Sequence, residues 1–349
     1  MPESMTILCA AKLAANQLER HLEPLSRLET VGRILVVRHA PAAARLAKVE
    51  NLPFGDGGTA RNLGRMFASV DRALRRERVD WVLGFNPVPW GAVAGAAALR
   101  RGVPLSLSFI GMDFKQVMRP SAWPIWQAVR RARLVTVTGE RMRRGLVERG
   151  LSAERIRVLP HAVDTERFRP SSDVPDFDIV SVGQLIERKR MDVLIDAVAL
   201  LRDRGVRVRA GIAGEGPLRA ELEARIRARK LDDQVELCGY LDAVETFLRR
   251  GRVFVLASAW EGVPFAMIEA MCSGLVPVVT DVGTIADWVC HDENGHIVPV
   301  GDAHALSRSL ERLLGDGAHY RALREAVLGM RSALSMETGV AFWREALAS

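Results

Sequence analysis

Two α/β domains with parallel sheets follow from three features of the sequence. Short apolar runs alternate with helix-length segments from end to end, and a Pro/Ser/Asp-rich interruption divides them into two series. At 349 residues the chain also exceeds one ordinary core and suits two domains of about 150 residues each. Apolar strands separated by helices imply a sheet covered on both faces.

In the first half the expected strands are Met5–Ala10, Arg33–Arg38, Trp81–Phe85, Leu105–Phe109, Leu134–Val137 and Ile156–Leu159, with helices over Arg61–Arg76 and Ala92–Arg101. The interruption at Arg169–Asp178 reads as a linker. Beyond it strands are expected at Ile179–Val182, Val206–Ala213, Val235–Leu237, Val253–Leu256 and Val276–Thr280, the same design repeated. Residues Gly339–Leu347 carry Phe342 and Trp343 at helical spacing and need another surface to bury them. The expected division is therefore 1–169, a linker at 170–178, a second domain at 179–333 and a terminal helix at 334–349 packing on the first domain.

Composition excludes several classes. Hydrophobic content of 48% with 26% charged residues is globular usage, and no apolar run reaches the ~18 residues of a membrane span. Met1–Ala15 lacks a basic region followed by an apolar stretch, so a cytoplasmic location is expected. Cys9, Cys238, Cys272 and Cys290 are far apart and lack ligand spacing, so neither a disulfide framework nor a metal site is expected. The net charge of +7 is uneven: residues 1–175 hold 28 Lys+Arg against 16 Asp+Glu, and the remainder 21 against 26. The basic first half suits an anionic surface, and equally an arginine-rich set of solvated helix faces.

Open parallel sheets bind ligands beyond the carboxyl ends of their strands, so the loops after each strand carry the chemistry. In Val182-Gly183-Gln184-Leu185-Ile186-Glu187-Arg188-Lys189-Arg190, the glycine allows close backbone approach and Arg188 or Lys189 can neutralise a diphosphate. The same residues also fit a solvated basic turn ahead of a helix. Gly214-Glu215-Gly216-Pro217 makes a tight strand-to-helix turn but is not Gly-x-Gly-x-x-Gly, and no P-loop occurs.

The strongest signal is Ser258–Gly274. Pro264 suits the start of a short helix and Gly274 its stop, leaving the N–H groups of Phe265 and Ala266 at the positive end of the helix dipole, a place for phosphate. Glu269, one turn along, can accept hydrogen bonds from paired hydroxyls such as those of a ribose, while Glu261 in the preceding loop would face what lies beyond the phosphate. Capping by Glu261 and a surface ion pair for Glu269 are the structural alternatives. A weaker loop, Asp281-Val282-Gly283-Thr284, follows the next strand.

In this order the segments resemble the retaining nucleotide-sugar glycosyltransferases of family 4. Supporting points are Val158–Pro170, Gly211–Leu218, the Glu-x7-Glu element from Glu261 to Glu269, and Asn294-Gly295-His296-Ile297-Val298. The resemblance covers most of the chain from about Leu83 onward. It implies the GT-B fold, two Rossmann-like domains facing a cleft, with the C-terminal helix crossing back to the first. It also implies a nucleotide-sugar donor in the second domain, a hydroxyl acceptor in the first, and neither metal nor cofactor. By this likeness Lys189 and Arg188 would meet the diphosphate, Glu269 the ribose, Glu261 the sugar ring, and Phe265 and Ala266 the phosphate oxygens through their backbone. Gly183, Gln184, Gly214, Glu215 and Pro264 would complete the donor site, with Asn86, Gly111 and Asp113 on the acceptor side.

Three positions depart from the family pattern. Gln184 stands where an arginine usually follows the glycine, with Arg188 nearby to compensate. Ile110 replaces the histidine of a His-Gly-x-Asp turn, and Ala10–Gln17 contains no glycine. These departures keep two other readings open: a nucleotide-sugar-binding protein without transfer activity, and a nucleotide-sugar epimerase of the same architecture. His39, His161 and His291 lack a positioned partner in the sequence and are assigned no chemistry. Ser121–Arg133 mixes two tryptophans with three arginines, suiting contact with the anionic inner face of a membrane or an ordinary helix over the sheet. No nucleic-acid module is present, and no nucleic-acid partner is expected.

Overall fold

A computed structural model of the chain describes residues 4–42, 45–262 and 264–348. The chain forms two compact units, one comprising 1–162 with 336–349 and the other 163–335. Val263, within the strongest motif, lies outside the described residues.

The first unit contains β1 (Met5–Ala10), β2 (Val31–Arg38), β3 (Val49–Pro53), β4 (Trp81–Phe85), β5 (Leu105–Phe109), β6 (Leu134–Val137) and β7 (Ile156–Val158). They form one sheet in the order β3-β2-β1-β4-β5-β6-β7, every pair parallel. Central strands β4, β5 and β6 are buried at every position, which is why their sequences are continuous rather than alternating apolar runs. Leu8, Leu35, Val82, Leu107 and Val135 pack on Met66 and Val70 of helix Thr59–Arg76, Ala94 of helix Ala92–Arg101 and Trp126 of helix Trp123–Arg131. The terminal helix, Met336–Ala348, belongs to this unit. Its Trp343 is fully buried, and a Cβ at Gly339 would run into Ala162 and Pro24.

The second unit contains β8 (Phe177–Val182), β9 (Ala210–Ala213), β10 (Val235–Gly239), β11 (Gly251–Leu256), β12 (Val276–Thr280) and β13 (His296–Val298), all parallel in the order β10-β9-β8-β11-β12-β13. Successive side chains feed opposite cores. Ile179, Val253 and Val278 pack with Leu194 and Val198 of helix Met191–Asp203 on one face, whereas Val180, Phe254 and Val279 meet Met267 and Met271 of helix Phe265–Cys272 on the other. Burying each such side chain contributes roughly 1.5–3 kcal/mol, so both faces are firmly covered.

The boundary differs from the expected linker at 170–178. Val163 donates its N–H to the Leu334 carbonyl at 2.9 Å, and Phe168 and Phe177 are buried in the second unit's core. Between these two anchors Ser172–Val174 and Asp176 are exposed, and the units divide at Ala162/Val163 and again at Ser335/Met336. Two strands were not expected, β3 and β13. Both lie at sheet edges, where β3 is only half-buried and includes Glu50 and Asn51, and β13 has three residues.

Candidate active site

In the second unit the chain leaves β8 toward β9 and β10 on one side, then returns to β11 on the other. The loops after β8 and β11 therefore flank the point where strand order reverses, the place where doubly wound sheets open a crevice. The residues singled out as donor-binding come from these loops and the one after β9.

The loop after β11 carries Glu261, only 4% exposed. Its Oε1 accepts from Lys189 Nζ at 2.6 Å and from Ser258 Oγ at 2.6 Å, and its Oε2 accepts from Arg188 Nη1 at 3.3 Å. Arg188 Nη1 also donates to the Trp260 carbonyl at 3.0 Å, with its guanidinium 5.3 Å from the centre of the Trp260 ring. A buried carboxylate needs such partners, because desolvation without them is strongly unfavourable. The group of Arg188, Lys189 and Glu261 carries a formal charge of +1, so the cations that hold the carboxylate still leave a site that favours an anion.

Backbone packing fixes the loops that supply these groups. Gly214 has φ +147°, and a Cβ there would overlap the Gly183 carbonyl oxygen. Only glycine lets the turns after β8 and β9 touch backbone to backbone. Gly183 donates to the Ala213 carbonyl and Leu185 to that of Glu215, both at 2.9 Å. A Cβ at Gly183 would also crowd the Lys189 stem, which runs past it toward Glu261. Behind Glu261, Gly283 has φ +63° and lies so close that its Cβ would meet the Glu261 carbonyl oxygen. The weak fourth loop is thus a wall of the same site.

Helix Phe265–Cys272 begins one residue later than expected, with Pro264 at its N-cap position. Its first bonds run from the N–H groups of Met267 and Ile268 to the Pro264 carbonyl, so the N–H groups of Phe265 and Ala266 stand ahead of the helical ladder. Seven of its eight residues are buried, and Glu269 is the single charged one, 4% exposed. Arg167, held by Glu245 at 2.8 Å, lies within the electrostatic reach of Glu269.

Two of the expected donor-site residues lie on the surface of these loops. Gln184 is exposed, and Glu215 is exposed with its carboxylate accepting at 2.6 Å from Nη1 of Arg219, the first residue of the next helix. Ser258 and Arg167 are further polar neighbours of the two glutamates. Ser258 was legible as the residue three before Glu261, whereas Arg167 comes from a distant segment.

In the first unit Gly111 donates its N–H to Asp113 Oδ1 at 2.8 Å, and the Ile110 N–H reaches Oδ2 at 3.4 Å. Burial pushes the Asp113 carboxyl up to about 7 against the pull of these N–H donors. Asn86, at φ +54°, donates from Nδ2 to the Lys12 carbonyl at 3.5 Å. Among the described residues no helix is long and apolar enough to cross a membrane.

Two Rossmann-like parallel-sheet units of this topology, with an Glu-x7-Glu helix at the reversal point of the second, define a GT-B glycosyltransferase fold. Comparison with known proteins agrees: residues 163–328 match the family of glycosyl transferases group 1, and 32–167 match Glycosyltransferase Family 4. A Salmonella typhimurium protein named as a colanic acid biosynthesis glycosyltransferase, WcaL, is 33% identical over 309 residues, covering 82% of this chain and 74% of the relative. Its Escherichia coli counterpart is 32% identical over 215 residues, 58% of this chain and 53% of that protein, so this match spans about half of the relative's length. Anabaena HepE, solved with UDP and with UDP-glucose, superposes with a TM-score of 0.81 at 18% identity over 99% of both chains. The chain belongs to glycosyltransferase family 4.

Proposed function

We propose that this chain transfers a sugar, with retention of anomeric configuration and without a metal ion, from a nucleotide-diphosphate sugar to a hydroxyl acceptor. The observation that carries the reading is the buried Glu261 carboxylate held between Lys189, Arg188 and Ser258 beside the N-terminus of the Glu269 helix. In this reading the diphosphate sits against Lys189, Arg188 and the N–H groups of Phe265 and Ala266, whose partial positive charge favours it. Glu269 accepts from the ribose hydroxyls, and Glu261 faces the sugar.

The bond from the anomeric carbon to the β-phosphate oxygen breaks as the acceptor oxygen bonds to the same face. The acceptor proton passes to the departing phosphate, so no side chain is needed as nucleophile. Lys189 and Arg188 stabilise the charge that grows on the diphosphate, the electrostatic contribution that fixed donors make best. The first unit is assigned the acceptor, with Asn86, Gly111 and Asp113 as its candidate contacts.

The test is release of nucleoside diphosphate from UDP-, GDP- and ADP-sugars by the purified chain, with a hydroxyl acceptor panel and EDTA present. Turnover that survives EDTA supports the reading. Binding without turnover across the panel supports the non-transferring alternative, and conversion of the donor sugar without any acceptor supports the epimerase.

Peripheral contact of the first unit with an anionic membrane is proposed for the helix Trp123–Arg131, a cytoplasmic-face placement. Trp123 is 59% exposed at the start of this helix and Arg130 and Arg131 are exposed at its end, while Trp126 is buried under Arg149. Co-sedimentation with phosphatidylserine vesicles, abolished in Trp123→Ala, is the expected result; sedimentation unchanged by that substitution would sink this part.

A further inference from the structure

We propose that Asp292, His296 and His319 form a binding site for a divalent transition metal, best suited to Zn²⁺, in the second unit. It is separate from the donor loops and its role is structural. His296 Nε2 lies 3.0 Å from His319 Nε2, Asp292 Oδ1 lies 3.1 Å from His296 Nε2, and Asp292 Oδ1 lies 3.5 Å from His319 Nε2. Nitrogen and oxygen ligands about 2.0–2.2 Å from one zinc ion stand roughly 3.0–3.5 Å from each other, so this triangle has the edges of a coordination polyhedron. The ligand atoms are two ring nitrogens and one carboxylate oxygen, a set that suits zinc and its borderline neighbours over magnesium or calcium.

The surroundings orient the three groups as outer-shell partners do. His296, whose side chain is 2% exposed, is fixed through Nδ1 by Ser309 Oγ at 2.7 Å, which leaves Nε2 turned to the other two. Arg312 Nη1 contacts Asp292 Oδ1 at 2.9 Å and Oδ2 at 3.0 Å, neutralising part of the carboxylate and fixing its plane. Such second partners are the usual companions of metal-bound histidine and carboxylate. His319 occupies the first turn of helix Gly317–Gly329, whose N-cap Asp316 accepts from the His319 N–H at 3.0 Å. Asp292 is the most exposed of the three, which leaves an entry side and room for water. His291, whose Nδ1 accepts from the Ile297 N–H at 3.0 Å, places Nε2 3.8 Å from Asp292 Oδ2 and flanks that opening.

A zinc ion here would tie the turn before β13, β13 itself and the helix Gly317–Gly329 to one point. The proposal is independent of the donor reading, since none of these residues belongs to that site.

The untagged full chain, stripped with EDTA and dialysed, is titrated with ZnCl₂ by calorimetry and with CoCl₂ by visible absorbance. Expected are one metal per chain, a melting temperature raised by zinc, and a Co²⁺ absorption band of a nitrogen/oxygen site. His319→Ala should weaken zinc binding at least about 100-fold and Ser309→Ala about tenfold. Zinc binding unchanged in His319→Ala, or a wild-type chain with neither stoichiometric uptake nor a Co²⁺ band, overturns the site. Should His319→Ala fail to fold, His319→Gln and the wild-type Co²⁺ band decide in its place. UDP binding measured in the same samples stays the same either way, so failure here is distinguishable from failure of the donor reading.

Discussion

The two units share a strand order, yet among the described residues only the second holds a buried carboxylate between two cations at its reversal point. In the second unit the loop after β8 brings two cations to a carboxylate buried after β11, and glycines let the intervening loops touch backbone to backbone. In the first unit the loop after β1 has no glycine, Lys12 lies 4.7 Å from the centre of the Trp90 ring, and Asp113 turns back onto the N–H groups of its own loop. The same scaffold thus holds a buried carboxylate between two cations in one unit and a self-satisfied turn in the other. Function resides in what is placed on the fold.

The comparison breaks most directly at Glu261. Glu261→Gln keeps the shape but removes the charge that balances Lys189 and Arg188, and transfer should fall by about 10²–10³-fold, as loss of one preorganised electrostatic contact typically does. Steady-state kinetics with the folded variant measures it; a loss below about threefold would show that the cluster is structural.

Acid should next expose the first unit. Burial pushes His21 down to about 4 and His161 down to about 3, with Arg20 adding to the first and His21 to the second. Because both folded values lie below the ordinary 6.5, the unfolded chain takes up protons first. Stability is complete above about pH 6.5 and is lost as pH falls toward those folded values, about 1.4 kcal/mol for each unit of separation. Melting curves from pH 7 to pH 4 should show this fall, reduced in His161→Phe; parallel curves would contradict it.

Asp113→Asn should have the smallest effect on the donor. The expected outcome is a UDP response equal to wild type with transfer reduced by about tenfold, the size of one modest hydrogen-bond loss. An altered UDP response would erase the division of labour between the units.

Much of this was legible in the sequence because it is local. Continuous apolar runs marked the central strands, and Glu261, Pro264 and Glu269 follow one another within one strand-to-helix connection. What was missed depends on distant segments or weak patterns. β3 and β13 lack the apolar run of a buried strand, and the boundary at Ala162/Val163 was hidden because prolines around the buried Phe168 and Phe177 suggested a linker. Arg167, within electrostatic reach of Glu269, and His319 beside His296 come together only when the chain folds. The pairing of Glu215 with Arg219, the first residue of the next helix, depends on how that helix begins, which the glycine-flanked motif does not reveal.

The central claim is that the second unit binds the nucleotide of a sugar donor through Glu269, and a thermal-shift titration with UDP, GDP and ADP tests it most directly. One nucleotide at 100 times its dissociation constant should stabilise the wild-type chain by about 2.7 kcal/mol. In Glu269→Ala that shift should largely disappear at the same concentration. A shift of equal size in the variant, or no shift with any of the three nucleotides, would contradict the account.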